Sequence, residues 1–122
     1  MSKNHDEYTK KRKEIGERFR IFRRLLQKSE KDFADETLRQ YSEIRKIEEG
    51  TFLPDIEFIG YFCNDYGLDI MWLVYGKGNV FFKETVKTPR YIYNYCQDNP
   101  TDIENLNAFL ENFNIDQETE AE

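Results

Sequence analysis

Large apolar residues recur at helical spacing along the first part of the chain, and lysine and arginine residues stand between them. From about Tyr8 to Gln27 this pattern predicts one long amphipathic helix. The polar residues at the very start are expected to fray. The inward positions of the predicted helix are Tyr8, Ile15, Phe19, Phe22, Leu25 and Leu26.

Capping signals predict a second and a third helix after this one. Ser29, with Asp32 three positions later, resembles a capping box and marks the start of the second helix. A break near residues 38–40 separates it from the third helix, which ends before Gly50. The side chains expected to face inward are Phe33, Ala34, Ile44 and Ile47.

Two further short helices follow the loop at residues 51–54. Asp55 and Asp69 are suitable N-caps, and Gly67 and Gly76 end the two helices. Five short helices with tight connections predict a compact all-α unit. The residues expected in its core from these helices are Ile56, Ile59, Phe62, Cys63, Tyr66, Trp72 and Tyr75.

The amino-acid composition and the predicted secondary structure change after Gly78. Residues 79–86 (NVFFKETV) have strand-like content, whereas Pro89 and then Thr101 with Glu104 signal two more helices. The last residues are acidic. We therefore predict a domain at residues 9–78 and a mostly helical, aromatic C-terminal extension at residues 79–122.

Several classes of protein are disfavoured by composition. No apolar run approaches the roughly 18 residues of a membrane span, and the start of the chain has no apolar signal segment. Cys63 and Cys96 form no CxxC pair, and His5 is the only histidine, so neither a zinc site, another metal site nor a disulfide framework is expected. A reducing cytoplasm fits two unpaired cysteines. No cofactor motif is present.

The net charge of −6 conceals an asymmetry along the chain. Nine basic and two acidic residues lie between Lys10 and Lys28, whereas four basic and thirteen acidic residues follow from Pro54 onward. A polyanion would therefore approach one end only. A charged helix is also often just a solvated helix, so charge alone leaves both interpretations open.

A set of residues at fixed spacing indicates a family. The set comprises IGERFR with Arg23 on the first helix, Ser29 and Ala34 on the second, Ile44, Ile47, Glu48 and Gly50 on the third, then Pro54 and DIMWLVYG around Trp72. Residues 15–78, which are 64 of the 122, thereby resemble without a gap the Cro/CI repressor-like (XRE) helix-turn-helix family, the lambda-repressor-like fold. Ala34 suits this fold, because two crossing helices need a small side chain where they touch.

The resemblance implies a third helix that enters the major groove of DNA. Base contacts are then expected from Arg39, Gln40, Tyr41, Ser42, Arg45 and Lys46. Phosphate contacts are expected from Lys10, Lys11, Arg12, Lys28, Ser29 and Lys31. The resemblance also implies an ion pair between Arg23 and Glu48 that locks the third helix, although a weak surface pair is the alternative.

The chain departs from the family pattern at four positions. Glu30 replaces the usual glutamine, Leu38 replaces a turn glycine able to adopt positive φ, and Gln40 replaces a serine or threonine cap. Glu49 replaces an asparagine near phosphate. Glu30, Glu43 and Glu49 would all stand near a polyanion, so either a different turn geometry or weaker DNA contact follows.

Two functions are compatible with these features. The first is a sequence-specific transcriptional regulator, a repressor, that binds a two-fold DNA site as a homodimer. The second is a degenerate helix-turn-helix that serves as a protein-interaction, antitoxin or adaptor module, with the acidic C-terminal region facing a protein partner. An enzyme is not expected, because no nucleophile–base pair or phosphate loop occurs. The residues expected at the dimer contact, unless they pack onto their own domain, are Phe81, Phe82, Tyr91, Tyr95, Phe109 and Phe113.

Overall fold

The computed structural model describes the backbone of residues 2–112 and the side chains of residues 6–112. Every regular element in that range is a helix, which confirms the all-α fold class. In chain order these helices are α1 (Ser2–Leu25), α2 (Glu30–Thr37), α3 (Tyr41–Glu49), α4 (Ile56–Tyr66), α5 (Ile70–Tyr75), α6 (Arg90–Asp98) and α7 (Ile103–Leu110).

α1 starts earlier than the apolar pattern predicts, at Ser2 rather than near Tyr8. Polar side chains do not prevent a helix, and neither proline nor glycine interrupts this stretch. The helix ends just before the predicted Gln27, because the backbone of Gln27 turns into the left-handed region with φ 59°. The amide of Lys28 then donates to the carbonyl of Arg23 at 3.3 Å and closes the helix end.

The start of α2 is the predicted capping box. Ser29 Oγ accepts from the amide of Asp32 at 3.0 Å, and Asp32 Oδ2 accepts from the amide of Ser29 at 2.9 Å. The helix ends at Leu38, which adopts φ 58° and ψ 37° although it is not a glycine. Gln40 then precedes α3 without a side-chain cap. The predicted inward residues are buried, namely Phe33, Ala34, Ile44 and Ile47.

Aspartate caps begin the next two helices, as predicted. Asp55 Oδ1 accepts from the amide of Phe58 at 2.8 Å, and Asp69 Oδ1 accepts from the amide of Met71 at 2.9 Å. Each carboxylate satisfies a backbone donor that has no partner within its helix. These two caps fix where the chain turns back across the core.

The inward face of α4 differs in part from the prediction. Ile56 was expected in the core, and its side chain is 89% exposed. As the first helical residue it lies outside the buried stripe, which recurs every four residues at Phe58, Phe62 and Tyr66. Phe58 therefore occupies the place that the sequence assigned to Ile56.

Residues 79–86 do not form the strand that their composition suggests. A single antiparallel bridge joins Leu68 and Phe81. The adjacent residues Val80 and Phe81 are both buried, so the alternation of a half-buried strand is absent. The hydroxyl groups of Thr85 and Thr88 donate to carbonyl groups at the end of α4 at 2.7 and 2.6 Å, which fastens the segment as a loop.

The two C-terminal helices pack against the first five. The α7 cap is Asp102 rather than the predicted Thr101, since Asp102 Oδ1 accepts from the amide of Asn105 at 2.9 Å. Trp72, with 1% of its surface exposed, donates from Nε1 to the carbonyl of Thr101 at 3.2 Å. Arg24 Nη2 donates to the carbonyl of Leu110 at 3.2 Å. These two hydrogen bonds join α5 to the residues just before α7, and α1 to the end of α7.

One core extends across the boundary predicted at Gly78. The rings of Phe22 and Phe81, which lie on opposite sides of that boundary in sequence, have centroids 5.9 Å apart. Ile92 of α6 and Leu106 of α7 are fully buried in the same cluster. The C-terminal extension thus contributes directly to the core that supports α3.

A glycine sets the distance between α1 and α3. A Cβ atom on Gly16 would lie 2.4 Å from the carbonyl oxygen of Ile47 and 2.8 Å from that of Glu48. Any larger residue would overlap with the α3 backbone. The absence of a side chain therefore lets α3 lie directly on α1, which fixes the position of its outer face.

Candidate nucleic-acid interface

A buried ion pair joins α1 to α3 behind the candidate interface. Arg23 Nε and Nη2 donate to the two carboxylate oxygens of Glu48 at 2.7 and 3.0 Å. The side chains are only 1% and 4% exposed. Arg23 Nη1 also donates to the carbonyl of Lys28 at 2.7 Å, so one guanidinium holds α1, the α1–α2 turn and α3 together.

The Glu48 carboxyl group is unusual because it is nearly excluded from water. Burial raises its pKa to about 7, while the paired guanidinium of Arg23 opposes this rise. The nearby carboxylate of Glu30 raises the pKa further, by repulsion and by a hydrogen bond to Glu48. Glu30 therefore affects the Arg23–Glu48 ion pair, which positions α3.

The outer face of α3 carries exposed cations and a hydroxyl group. Ser42, Arg45 and Lys46 are exposed, and Tyr41 is half-buried. Arg45 Nη1 donates to Tyr41 Oη at 3.2 Å, and its guanidinium lies 5.7 Å from the Tyr41 ring centroid. This contact holds the arginine along the helix and raises its pKa, so the group stays charged.

The loop after α3 adds an aromatic side chain that the sequence did not single out. Lys46 Nζ lies 5.1 Å from the ring centroid of Phe52, which is 45% exposed. Leu53 beside it is 58% exposed. In the sequence, Phe52 and Leu53 follow the basic end of α3 closely, and this was the feature that could have drawn attention to them. The prediction of a loop gave no reason to place either side chain beside Lys46.

Arg39 does not stand free at the start of α3. Its Nη1 atom contacts Glu43 Oε2 at 2.6 Å and Asp55 Oδ2 at 2.8 Å, and its Nη2 atom donates to Asp55 Oδ1 at 3.2 Å. These bonds raise the pKa of Arg39. The residue ties the start of α3 to the start of α4, and it would have to leave two carboxylates in order to contact a base.

The residues expected to contact phosphate fall into two groups. Lys31 and Lys10 are exposed at the start of α2 and in the first half of α1. Ser29 is buried and its hydroxyl group caps α2, while Lys28 Nζ lies 3.1 Å from Glu36 Oε2. Ser29 therefore acts in the structure as a helix cap, and Lys28 as the partner of a carboxylate.

Two other basic residues of α1 point at different neighbours. Lys11 Nζ donates to the carbonyl of Val74 at 3.0 Å and lies 4.5 Å from the ring centroid of Tyr75. Arg12 Nε donates to the carbonyl of Gly50 at 3.3 Å. Arg12 is thus close to the end of α3, whereas Lys11 faces α5. Tyr75 is 56% exposed, so its expected place in the core was wrong.

Arg18 is a buried cation that the sequence did not distinguish from its neighbours. Its Nε and Nη2 atoms donate to the carbonyls of Leu73 and Val74 at 2.7 and 2.9 Å. Burial lowers its pKa, and the charges of Glu14 and Glu17 oppose that change. It satisfies the end of α5 and belongs to the scaffold.

The expected dimer residues are not equivalent. Phe81 is 1% exposed and packs against Phe22, so it is part of the chain's own core and is not accessible to a second copy. Tyr95 and Phe109 stack on each other with centroids 4.3 Å apart. Phe82 and Tyr91 are 54% and 53% exposed. Phe113 lies outside the described residues.

Neither a cluster of metal-binding side chains nor a membrane-spanning helix occurs in residues 2–112. No group of three or more histidine, cysteine, aspartate or glutamate residues in this range is arranged to hold a metal ion. None of the helices described there has the length and apolarity needed to cross a bilayer.

Comparisons with known proteins give no match for this chain. No protein-family description, no curated protein and no solved structure is significantly similar to it.

Proposed function

We propose that the chain binds double-stranded DNA through the outer face of α3 and acts as a sequence-specific transcriptional repressor. The observation that carries the proposal is this face itself, which presents Ser42, Arg45 and Lys46 to solvent. An α-helix fits the major groove, where arginine and lysine donate to guanine and serine serves as donor or acceptor.

The rigid support of α3 favours a role in recognition. The Arg23–Glu48 pair and the Gly16 contact hold the helix from behind, so its outer side chains start from a fixed position. A pre-positioned helix loses less entropy on binding than a mobile one. The basic first part of the chain supplies the long-range attraction for a polyanion.

A homodimer is part of the proposal, because a single α3 contacts few bases. A two-fold dimer would instead contact half-sites about 34 Å apart. Phe82 and Tyr91 are the expected aromatic residues that remain well exposed, and they are the candidates for the contact between copies.

Charge reversal on α3 tests the assignment. The double variant Arg45→Glu, Lys46→Glu is expected to abolish binding to duplex DNA fragments selected from a random pool, while the circular dichroism spectrum stays that of the parent. The control is Lys77→Glu, which reverses the charge of an exposed residue outside α3. Equal affinity in the two variants would rule out α3 as the binding face.

The salt dependence of the parent is part of the same experiment. Log affinity is expected to fall linearly with log salt, by roughly 0.9 for each phosphate that the protein neutralises. Selected fragments should contain two inverted half-sites. An affinity that does not change between low and moderate salt would contradict DNA binding by this face.

A protein-interaction module is the second candidate, and specific contacts favour it. Arg39 is neutralised by Glu43 and Asp55, and Glu49 lies exposed on α3, 3.9 Å from Arg45. Carboxylates on this face would repel phosphate. Retention of poly-lysine by the chain at moderate salt, with no retention of duplex DNA, would select this function instead.

A further inference from the structure

A small groove opens between the end of α2 and the first half of α4. Residues 36–39 line it from the α2 side, and Glu57, Phe58 and Tyr61 line it from α4. The cavity measures about 250 Å³, which is below the roughly 300 Å³ at which sites for small-molecule ligands begin. This feature, which we call the α2–α4 groove, is therefore of a size for a single side chain.

Direct contacts cross the groove from the α2 side to α4. Tyr61 Oη donates to Glu36 Oε1 at 2.9 Å. Arg39 Nη2 donates to Asp55 Oδ1 at 3.2 Å, and its guanidinium lies 5.2 Å from the ring centroid of Phe58. These contacts hold the residues that line the groove together, so the groove is a formed surface of the folded chain.

Leu38, the residue that ends α2, is the part of the groove that the folded chain alone does not explain. Its side chain is 93% exposed, and its backbone is left-handed with φ 58°. A glycine at this position would avoid both the strain and the exposed apolar surface. Strained residues of this kind cluster where a protein binds a ligand or a partner. A partner that covers Leu38 would take its apolar surface out of water.

Carboxylates outnumber cations around the groove. The ion pairs there are Lys28 with Glu36, Arg39 with both Glu43 and Asp55, and, beside Tyr61, Lys87 with Asp65. Among the residues that the structure describes, no cation pairs with Glu57, which lines the groove and is exposed. A cationic group at the groove would therefore meet an uncompensated negative charge, whereas a phosphate group would be repelled.

From the shape, the exposed leucine and the charge we infer that the α2–α4 groove binds a segment of another protein, in which a large aliphatic side chain stands next to a lysine or arginine. The aliphatic side chain lies against Leu38 and Phe58, and the cation pairs with Glu57. This contact goes beyond the proposed binding of DNA and does not depend on it, because the exposed cations of α3 take no part in it.

The test uses a synthetic probe, the peptide Lys-Leu-Lys-Leu-Lys with blocked ends, added to the ¹⁵N-labelled full chain. Saturable shifts of the amide resonances of Leu38 and Glu57 are expected. Two peptides of the same length serve as comparisons, one with serine in place of leucine and one with glutamate in place of lysine. Each lacks one of the two recognised groups and should bind more weakly. Equal affinity of either comparison peptide, or no shift with the probe, would overturn the inference.

Two matched pairs of variants locate the site. Leu38→Ala should weaken binding of the probe about tenfold through the loss of buried apolar surface, whereas Val86→Ala, at another fully exposed apolar residue, should not. Glu57→Gln should weaken it about threefold, as expected for an exposed ion pair, whereas Glu104→Gln should not. Glu104 is the exposed second residue of α7, as Glu57 is of α4. Equal effects within either pair would overturn the assignment to the groove.

Sedimentation of the parent and of Leu38→Ala without peptide tests the other possible occupant, a second copy of the chain. Any association of the parent is expected to persist unchanged in Leu38→Ala. A dimer of the parent that Leu38→Ala dissociates would assign the groove to a second copy and would overturn the inference.

Discussion

Leu38 combines two features that are unfavourable for a leucine, since it is 93% exposed and has a left-handed backbone. This conformation costs about 1–2 kcal/mol for a residue with a Cβ atom, and glycine avoids the cost. Glycine also loses more conformational entropy on folding than leucine does, and this loss offsets about half of that gain.

Leu38→Gly is therefore expected to raise the free energy of unfolding by about 0.5–1 kcal/mol, a difference between the two costs just given. Urea denaturation measures it. Leu38→Ala is the control, because alanine keeps the Cβ atom and should bring no such gain. A gain of equal size from alanine would show that the exposed side chain, and not the backbone, is responsible.

Glu48 predicts a pH dependence of stability. Its pKa of about 7 in the folded chain is above its ordinary value of 4.5, so folding favours the protonated form. That stabilisation is complete below about pH 4 and is lost as the pH rises through 7. The parent should therefore lose unfolding free energy between pH 4 and pH 8 through this group.

The variant Glu48→Gln should lose much less over the same interval, as measured by urea denaturation at each pH. Glu49→Gln is the control at the exposed neighbouring position. The lowered pKa values of Glu36, Asp55 and Asp65 produce the opposite dependence at more acid pH, which is why the upper part of the range is the informative one. An unchanged pH dependence in Glu48→Gln would refute the assignment.

Apart from the Arg23–Glu48 pair, which was expected from a resemblance, residue roles could be predicted where neighbours along the chain decide them. The Ser29 cap depends on a residue three positions away and was found. The capture of Arg39 depends on Asp55, sixteen residues further on and brought close by the fold, and it was missed. Buried Arg18 was missed for the same reason, because its partners lie on α5.

The packing of α1 on α3 depends on Gly16, and it gives a prediction with opposite signs at two glycines. Gly16→Ala puts a Cβ atom 2.4 Å from the carbonyl oxygen of Ile47, so the helices must separate. The expected loss of unfolding free energy is about 1–3 kcal/mol, the usual cost of overpacking.

Gly60→Ala is the matched control, since the added Cβ atom would have no neighbour within 4 Å in the middle of α4. Alanine is the better helix former there, and a gain of up to about 1 kcal/mol is expected. Thermal or urea denaturation of both variants measures the contrast. Stabilisation by both substitutions would mean that α1 and α3 are not in the described contact.

Elements with strong local signals were the predictable part of the fold. The starts of α2, α4 and α5 follow from side chains that cap them. Residues 79–86 were misjudged because β-branched and aromatic content fits both a strand and a buried loop, and only the tertiary bonds of Thr85 and Thr88 decide between them.

At the scale of the whole molecule, the sequence boundary at Gly78 and the physical core do not coincide. Composition changes there, but Val80 and Phe81 are buried with the side chains of α1. The basic residues between Lys10 and Lys28 lie on α1 and the turn that follows it, whereas α2 and α3 each carry more acidic than basic residues. Val80 and Phe81 of the C-terminal extension belong to the same core as the buried residues of α3, so the extension helps to support the candidate interface.

Trp72 provides an intrinsic optical probe of the packing of α7 on α5. It is the only tryptophan of the chain, it is 1% exposed, and its indole N–H is bonded to Thr101 just before α7. A buried indole emits at shorter wavelength than one in water. The emission wavelength of this tryptophan should therefore report, without any added dye, whether α7 remains packed against α5.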